Sequence, residues 1–143
     1  MTSWQGAGWL TEHRPTREET QSLLGVIERD LRDSEVKVLS ADTQLGLAYN
    51  AALQAATVAL AACGYRAARE RKHYLTIQSL AHTILADASL INQLDSYRKK
   101  RNLGDYERAG STSVREATEA RDLARRLRDD VRAWLERTHP GLL

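Results

Sequence analysis

An all-α fold, an up-and-down helical bundle of four main helices plus one shorter helix, is what this sequence predicts. Three observations carry that expectation. Every sustained apolar period is helical, near 3.6 residues, and no stretch alternates with the period of a strand. The segment from Thr43 to Tyr65 holds no charged residue, so it needs cover on every side, which a bundle supplies. With 143 residues, 42% hydrophobic and 28% charged, the chain has the length and composition of one globular domain with a core. The expected organisation is an N-terminal arm over 1–15, a single helical domain over 16–138 and a C-terminal tail over 139–143.

The arm has no sustained period, but Trp4, Trp9 and Leu10 are apolar enough to lie on a surface groove or to cover a partner. After Pro15, Thr16 and Glu19 stand at capping-box spacing and open the first helix. Its apolar stripe is Leu23, Leu24, Ile27, Leu31 and Val38, with Glu28, Arg29, Asp30, Arg32 and Asp33 mainly on the wet side.

The uncharged segment that follows has the length of a membrane span. Alanine dominates it, however, and Gln44, Asn50, Gln54 and Thr57 interrupt it, so its gain in a bilayer is small. It reads as the central helix, ended by Gly64, and no membrane association is expected. Asn50 within it needs a hydrogen-bond partner, for which the plain reading is a neighbouring helix and the alternative a ligand. A shorter helix spans about His73 to Ala86, carrying Leu75, Ile77, Leu80 and Ile84. After a break near Asp87, the fourth helix starts at about Ser89. Ser113 and Glu116 form a second capping-box pattern and open a last helix to about Arg137. Ala117, Ala120, Ala124, Leu127, Val131 and Trp134 make its core stripe, and Arg121, Asp122, Arg125, Arg128, Asp129 and Arg132 its wet face.

Several chemistries are disfavoured. The single cysteine, Cys63, has no partner for an intramolecular disulfide and sits in an Ala-rich run as a small hydrophobe. His73 and His82 fall on opposite faces of one helix, and neither HExxH nor CxxC occurs, so no metal site and no cofactor are expected. The first residues lack a signal-peptide pattern, which makes the cytoplasm the expected compartment. A net charge of +2 does not by itself imply nucleic-acid binding; a basic site has to come from local clustering.

Such clustering occurs twice. Arg66, Arg69, Arg71 and Lys72 follow Gly64, and Arg98, Lys99, Lys100 and Arg101 end the fourth helix. Cations in a last turn before Gly104 are also an ordinary helix stop. Yet Leu90, Leu94, Tyr97 and Arg101 share one face, which places Arg101 where the stripe calls for a core residue. A guanidinium there has to find an anion, face a wet crevice or bend out to solvent. In an up-and-down bundle the end of the central helix, the start of the short one, the end of the fourth and the start of the last share a pole, so both clusters should meet there as a phosphate-binding surface.

The string Arg101-Asn102-x-x-x-Tyr106 resembles the RNxxxH motif of the HEPN family, small helical-bundle domains. The resemblance extends from Ala48-Tyr49-Asn50-Ala51-Ala52-Leu53 through Ala62-Cys63-Gly64-Tyr65-Arg66 to the long closing helix, over most of residues 40 to 135. It is closest to the branch in which tyrosine follows the Arg-Asn pair. The family includes metal-independent ribonucleases, toxins of toxin-antitoxin pairs and noncatalytic partners of nucleotidyltransferases. In its catalytic members two protomers bring their motifs together and the RNA 2′-hydroxyl attacks the adjacent phosphate. The resemblance therefore implies a homodimer in which Arg101 stabilises charge on the phosphate, Asn102 positions it and Arg98 assists. Tyr106 stands in place of the motif histidine. A phenol of pKa about 10 is ionised in roughly one molecule per thousand at pH 7, so it moves protons poorly, although it can donate to a leaving 5′-oxygen or stack on a base. Three readings stay open: a homodimeric endoribonuclease acting as toxin or stress effector; a noncatalytic module that binds RNA or nucleotide, or serves a nucleotidyltransferase or antitoxin partner; and a helical adaptor without catalysis.

Overall fold

The computed structural model describes residues 1–104 and 112–143, the side chains of 102–104 excepted, so the side chain of Asn102 and the whole of Tyr106 in the motif lie outside the described residues. The elements in chain order are α1 (Thr2–Gly6), β1 (Leu10–Glu12), α2 (Arg17–Asp33), α3 (Ala41–Ala62), β2 (Tyr65–Ala67), α4 (Lys72–Gln78), α5 (Ala88–Gly104) and α6 (Val114–Thr138). Short 3-10 turns follow α4 and α6. The fold is an all-α bundle in which α2, α3, α5 and α6 are the main helices and α4 the shorter one.

Helix α3 is the centre. Its serine cap holds it open at one end, with the Ser40 hydroxyl accepting from the Thr43 amide at 3.1 Å. Gly64, at φ +94°, turns the chain away at the other. It is long and apolar enough to cross a membrane, but 72% of its apolar window is buried inside the protein. Small residues allow that: Ala48, Ala51, Ala55, Ala56 and Ala59 are fully enclosed, and a chain of alanines lets neighbours approach closely. Asn50 donates to the Asp30 carboxylate on α2 at 2.6 Å, which is the partner its burial required.

Ion pairs and hydrogen bonds give the helix directions. Arg121 on α6 bonds Ser34 at the end of α2 and Gln44 at the start of α3, and Arg128 reaches Glu28 one turn and a half back along α2. Helix α6 thus runs against α2 and alongside α3. Lys100 meets Glu116 while Asp87 meets Arg126, so α5 runs against α6. The four main helices alternate in direction, but the end of α5 shares its pole with the starts of α3 and α6. The expectation that it shares a pole with the end of α3 is corrected: α4 is too short to act as a full antiparallel member, and the alternation skips it.

Other expectations change as well. Helix α2 stops at Asp33, where the Ser34 hydroxyl donates to the Leu31 carbonyl at 2.6 Å, and Val38 lies beyond it with 90% of its surface exposed. Asp30, placed on the wet side by pattern, is buried at 2% because Arg29 and Asn50 both bond it. The Thr16 hydroxyl accepts from the Glu19 amide, but the Glu19 carboxylate bonds His13 and leaves that capping box half made. Helix α4 ends at Gln78 rather than near Ala86. Thr76 and Ser79 bond back to carbonyls of the preceding turn, and Leu85 takes a left-handed conformation at φ +57°. At α6 the Ser113–Glu116 box is complete, and every residue of the expected core stripe is buried.

The N-terminal segment does more than lie in a groove. Leu10, Thr11 and Glu12 pair antiparallel with Ala67, Arg66 and Tyr65, a strand pair too short to leave a pattern in the sequence. Leu10 is buried to 2% against Leu60, Ala67 and Leu75, with Met1 and Trp4 packed around them. Trp4 meets Trp9 and His82 edge-on, so the tryptophans are engaged by the chain's own bundle.

Candidate nucleic-acid interface

The basic run after Gly64 passes through β2 and turns into α4 at Arg71, whose backbone is left-handed at φ +58°. A non-glycine residue held there is strained by about 1 kcal/mol or more, and surrounding contacts have to hold it. The contact seen is with Tyr74: the Arg71 guanidinium lies 4.6 Å from the ring centroid. From α5, the Arg98 guanidinium approaches the same ring at 5.4 Å. One aromatic ring therefore keeps two like-charged groups side by side, through attraction between cation and π-face.

Arg69, Arg71, Lys72, His73, Tyr74 and Arg98 line an open concavity of about 580 Å³ with no carboxylate among them. Among the described residues, Arg69, Arg71 and Lys72 form no ion pair. Arg98 is oriented by Asp95, which accepts from its Nε at 2.7 Å and takes Lys99 at 3.5 Å with its other oxygen. Only 7% of the Asp95 surface is exposed, so an enclosed carboxylate orients Arg98 from below and meets Lys99 at its edge. His73 is pushed below the ordinary histidine value, first by burial and then by Lys72, Arg101 and Arg98.

The structure sorts the basic residues named from sequence into separate places. Arg98 joins Arg69, Arg71 and Lys72, although the shared-pole argument was not what brought them together. Lys100 turns away and pairs with Glu116 at 2.5 Å. Arg66 lies on the other side of β2, 3.9 Å from Glu19. Lys99 stays mostly exposed. Arg101, expected on the core face, is exposed at the mouth of a second crevice of about 450 Å³, with Arg29, Asp30, Asp42 and Asn50. It lies 5.5 Å from the ring of Tyr49, which closes the stripe beneath it. Burial pushes the Tyr49 phenol up to about 12, while Arg101 and Arg98 pull the other way.

Two contributors escaped the sequence reading. Tyr74 stands two residues after the basic run ends at Lys72, and an aromatic close behind cations is the signal that marks it. Asp95 carries no such signal, since only packing shows that it is enclosed. Cys63 is half-buried and its thiol is pushed up by burial, which suits a packing role. Comparisons of the chain with protein-family models, with curated proteins and with solved structures find no match.

Proposed function

We propose that this protein binds single-stranded RNA on the face formed by the start of α4 and the second half of α5, as a HEPN-like helical domain. One observation carries the reading: Arg71 and Arg98 flank the Tyr74 ring in a concavity that also holds Arg69 and Lys72 and is lined by no acid. Asp95 offsets the charge of Arg98, but Arg69, Arg71 and Lys72 form no ion pair among the described residues, and planar guanidinium donors match phosphate oxygens. A concavity open to solvent suits a flexible backbone better than a rigid duplex.

The test is anisotropy of a labelled RNA oligonucleotide across a salt series. Arg71→Ala and Arg98→Ala are expected to weaken binding several-fold and each to lower the log–log salt slope by about 0.7, one phosphate contact on a single strand. Arg132→Ala, on the wet face of α6, serves as control. Losses no larger than the control's would overturn the reading.

Cleavage is a second reading, favoured by Arg101. It is exposed, forms no ion pair among the described residues, and stands over the Tyr49 ring at the mouth of its crevice. A permanent cation that no carboxylate neutralises is the group that steadies the charge built up on a phosphate under attack by a 2′-hydroxyl. The resemblance adds a second protomer to such a site. Incubation with RNA in EDTA separates the readings: cleavage that Arg101→Lys abolishes while affinity stays intact marks an enzyme, and intact RNA with wild-type protein marks a binding module.

A further inference from the structure

Next to the basic concavity lies a second cavity, of about 460 Å³, where the first turn of α2, the last turns of α3, β2 and the start of α4 meet. This is the size of an ordinary small-molecule site. Leu23, Leu60 and Ala61 give it an apolar lining. Most of its polar groups are already committed. His13 Nε2 lies 2.9 Å from both Glu19 oxygens, the Thr57 hydroxyl donates to the Leu53 carbonyl at 2.9 Å, and the Thr76 hydroxyl to the Lys72 carbonyl at 2.7 Å. Gln54 differs. It is half-buried on the cavity wall, and no hydrogen bond among the described residues engages its amide.

An amide offers a donor and an acceptor side by side in one plane, the arrangement that pairs with the edge of a nucleobase. A bare phosphate uses only the donor half of it. Lys72 belongs to the walls of both cavities, so a phosphate held by Lys72 in the basic concavity leaves its own nucleoside at the mouth of the second. We propose that this cavity is a nucleobase subsite: it takes the base of a nucleotide whose phosphate lies on Lys72, with Gln54 reading the base edge and the Leu60–Ala61 surface covering a ring face. The proposal rests on the RNA-binding reading and names one nucleotide of the strand bound there.

The experiment titrates the intact protein calorimetrically with each of the four ribonucleoside 5′-monophosphates and with ribose 5-phosphate. At least one nucleotide is expected to bind ten-fold or more tighter than ribose 5-phosphate. Gln54→Leu, which keeps volume but removes the amide, should bring that ratio close to one and leave ribose 5-phosphate binding unchanged. Ser22→Phe, at an exposed helical position on the cavity wall, should do the same by occlusion and covers the case in which Gln54→Leu fails to fold. Equal binding of all five ligands, no binding of any, or discrimination that survives both substitutions overturns the subsite. The two proposals fail separately. RNA affinity that depends on Arg71 and Arg98 without base discrimination removes the subsite alone, whereas base discrimination without RNA affinity removes the strand-binding reading and leaves a mononucleotide site.

Discussion

Tyr49 shows what a single side chain is asked to do here. It is buried to 2% of its surface, its ring supports the Arg101 guanidinium, and its hydroxyl has no partner among the described residues. A buried donor without an acceptor costs about 1–3 kcal/mol relative to solvent. Removing it while keeping the ring should therefore be free or favourable. Tyr49→Phe is expected to leave the melting temperature unchanged or to raise it by a few degrees, since the ring face under Arg101 is retained. A clear fall in Tm would mean that the hydroxyl is bonded. Asn50, its neighbour in sequence, is the opposite case: its amide meets Asp30, and burial of that carboxylate follows from having two donors.

Between elements, the clasp of α5 on α6 is a contact that pH should act on. Glu116 closes the capping box of α6 and also takes the Lys100 ammonium, and its carboxyl is held below the usual range by the Lys100 hydrogen bond first and the Ser113 amide next. A carboxyl whose folded-state pKa is depressed adds stability that is present above its unfolded value and lost as pH falls through the folded one. Acidification from about pH 6 to about pH 3, across the ordinary carboxylate range, should thus loosen the clasp. Glu116→Gln is expected to lower Tm at pH 6 and to lose less than the wild type on going to pH 3. Parallel curves for the two proteins would show that the pair adds nothing. Because the side chain is over a third exposed, salt should shrink the difference.

At the scale of the molecule, the N-terminal segment is part of the body. Leu10 fills a small core with Leu60, Ala67 and Leu75, and its partner strand β2, with His13 just after β1, forms one side of the cavity that holds Gln54. Leu10→Ala should cost about 2–5 kcal/mol by urea denaturation, the range for a fully buried leucine, in one transition. A loss under 1 kcal/mol, or a separate early transition, would show that the segment is only laid against the bundle.

Much of this architecture is legible in the residues. The helical period, the uncharged Ala-rich centre, the serine cap at Ser113 and the stripe from Ala117 to Trp134 are local signals, set by propensity and by which faces need cover, so the all-α bundle follows from sequence. The basic runs are equally plain, as is the need of Asn50 for a partner. What the pattern could not carry are choices made by distant contacts. Whether Asp30 is wet or buried depends on Asn50 twenty residues on. Which cations stay free depends on where carboxylates arrive: Glu116 takes Lys100, Asp95 aligns Arg98, and Arg71 is left beside it over one ring. The strand pair is held by hydrogen bonds between segments far apart in the chain, with three residues on each side, too few for a period to show. Local chemistry thus determined the helices and their faces, and tertiary packing alone decided which charges were neutralised and which stayed unpaired.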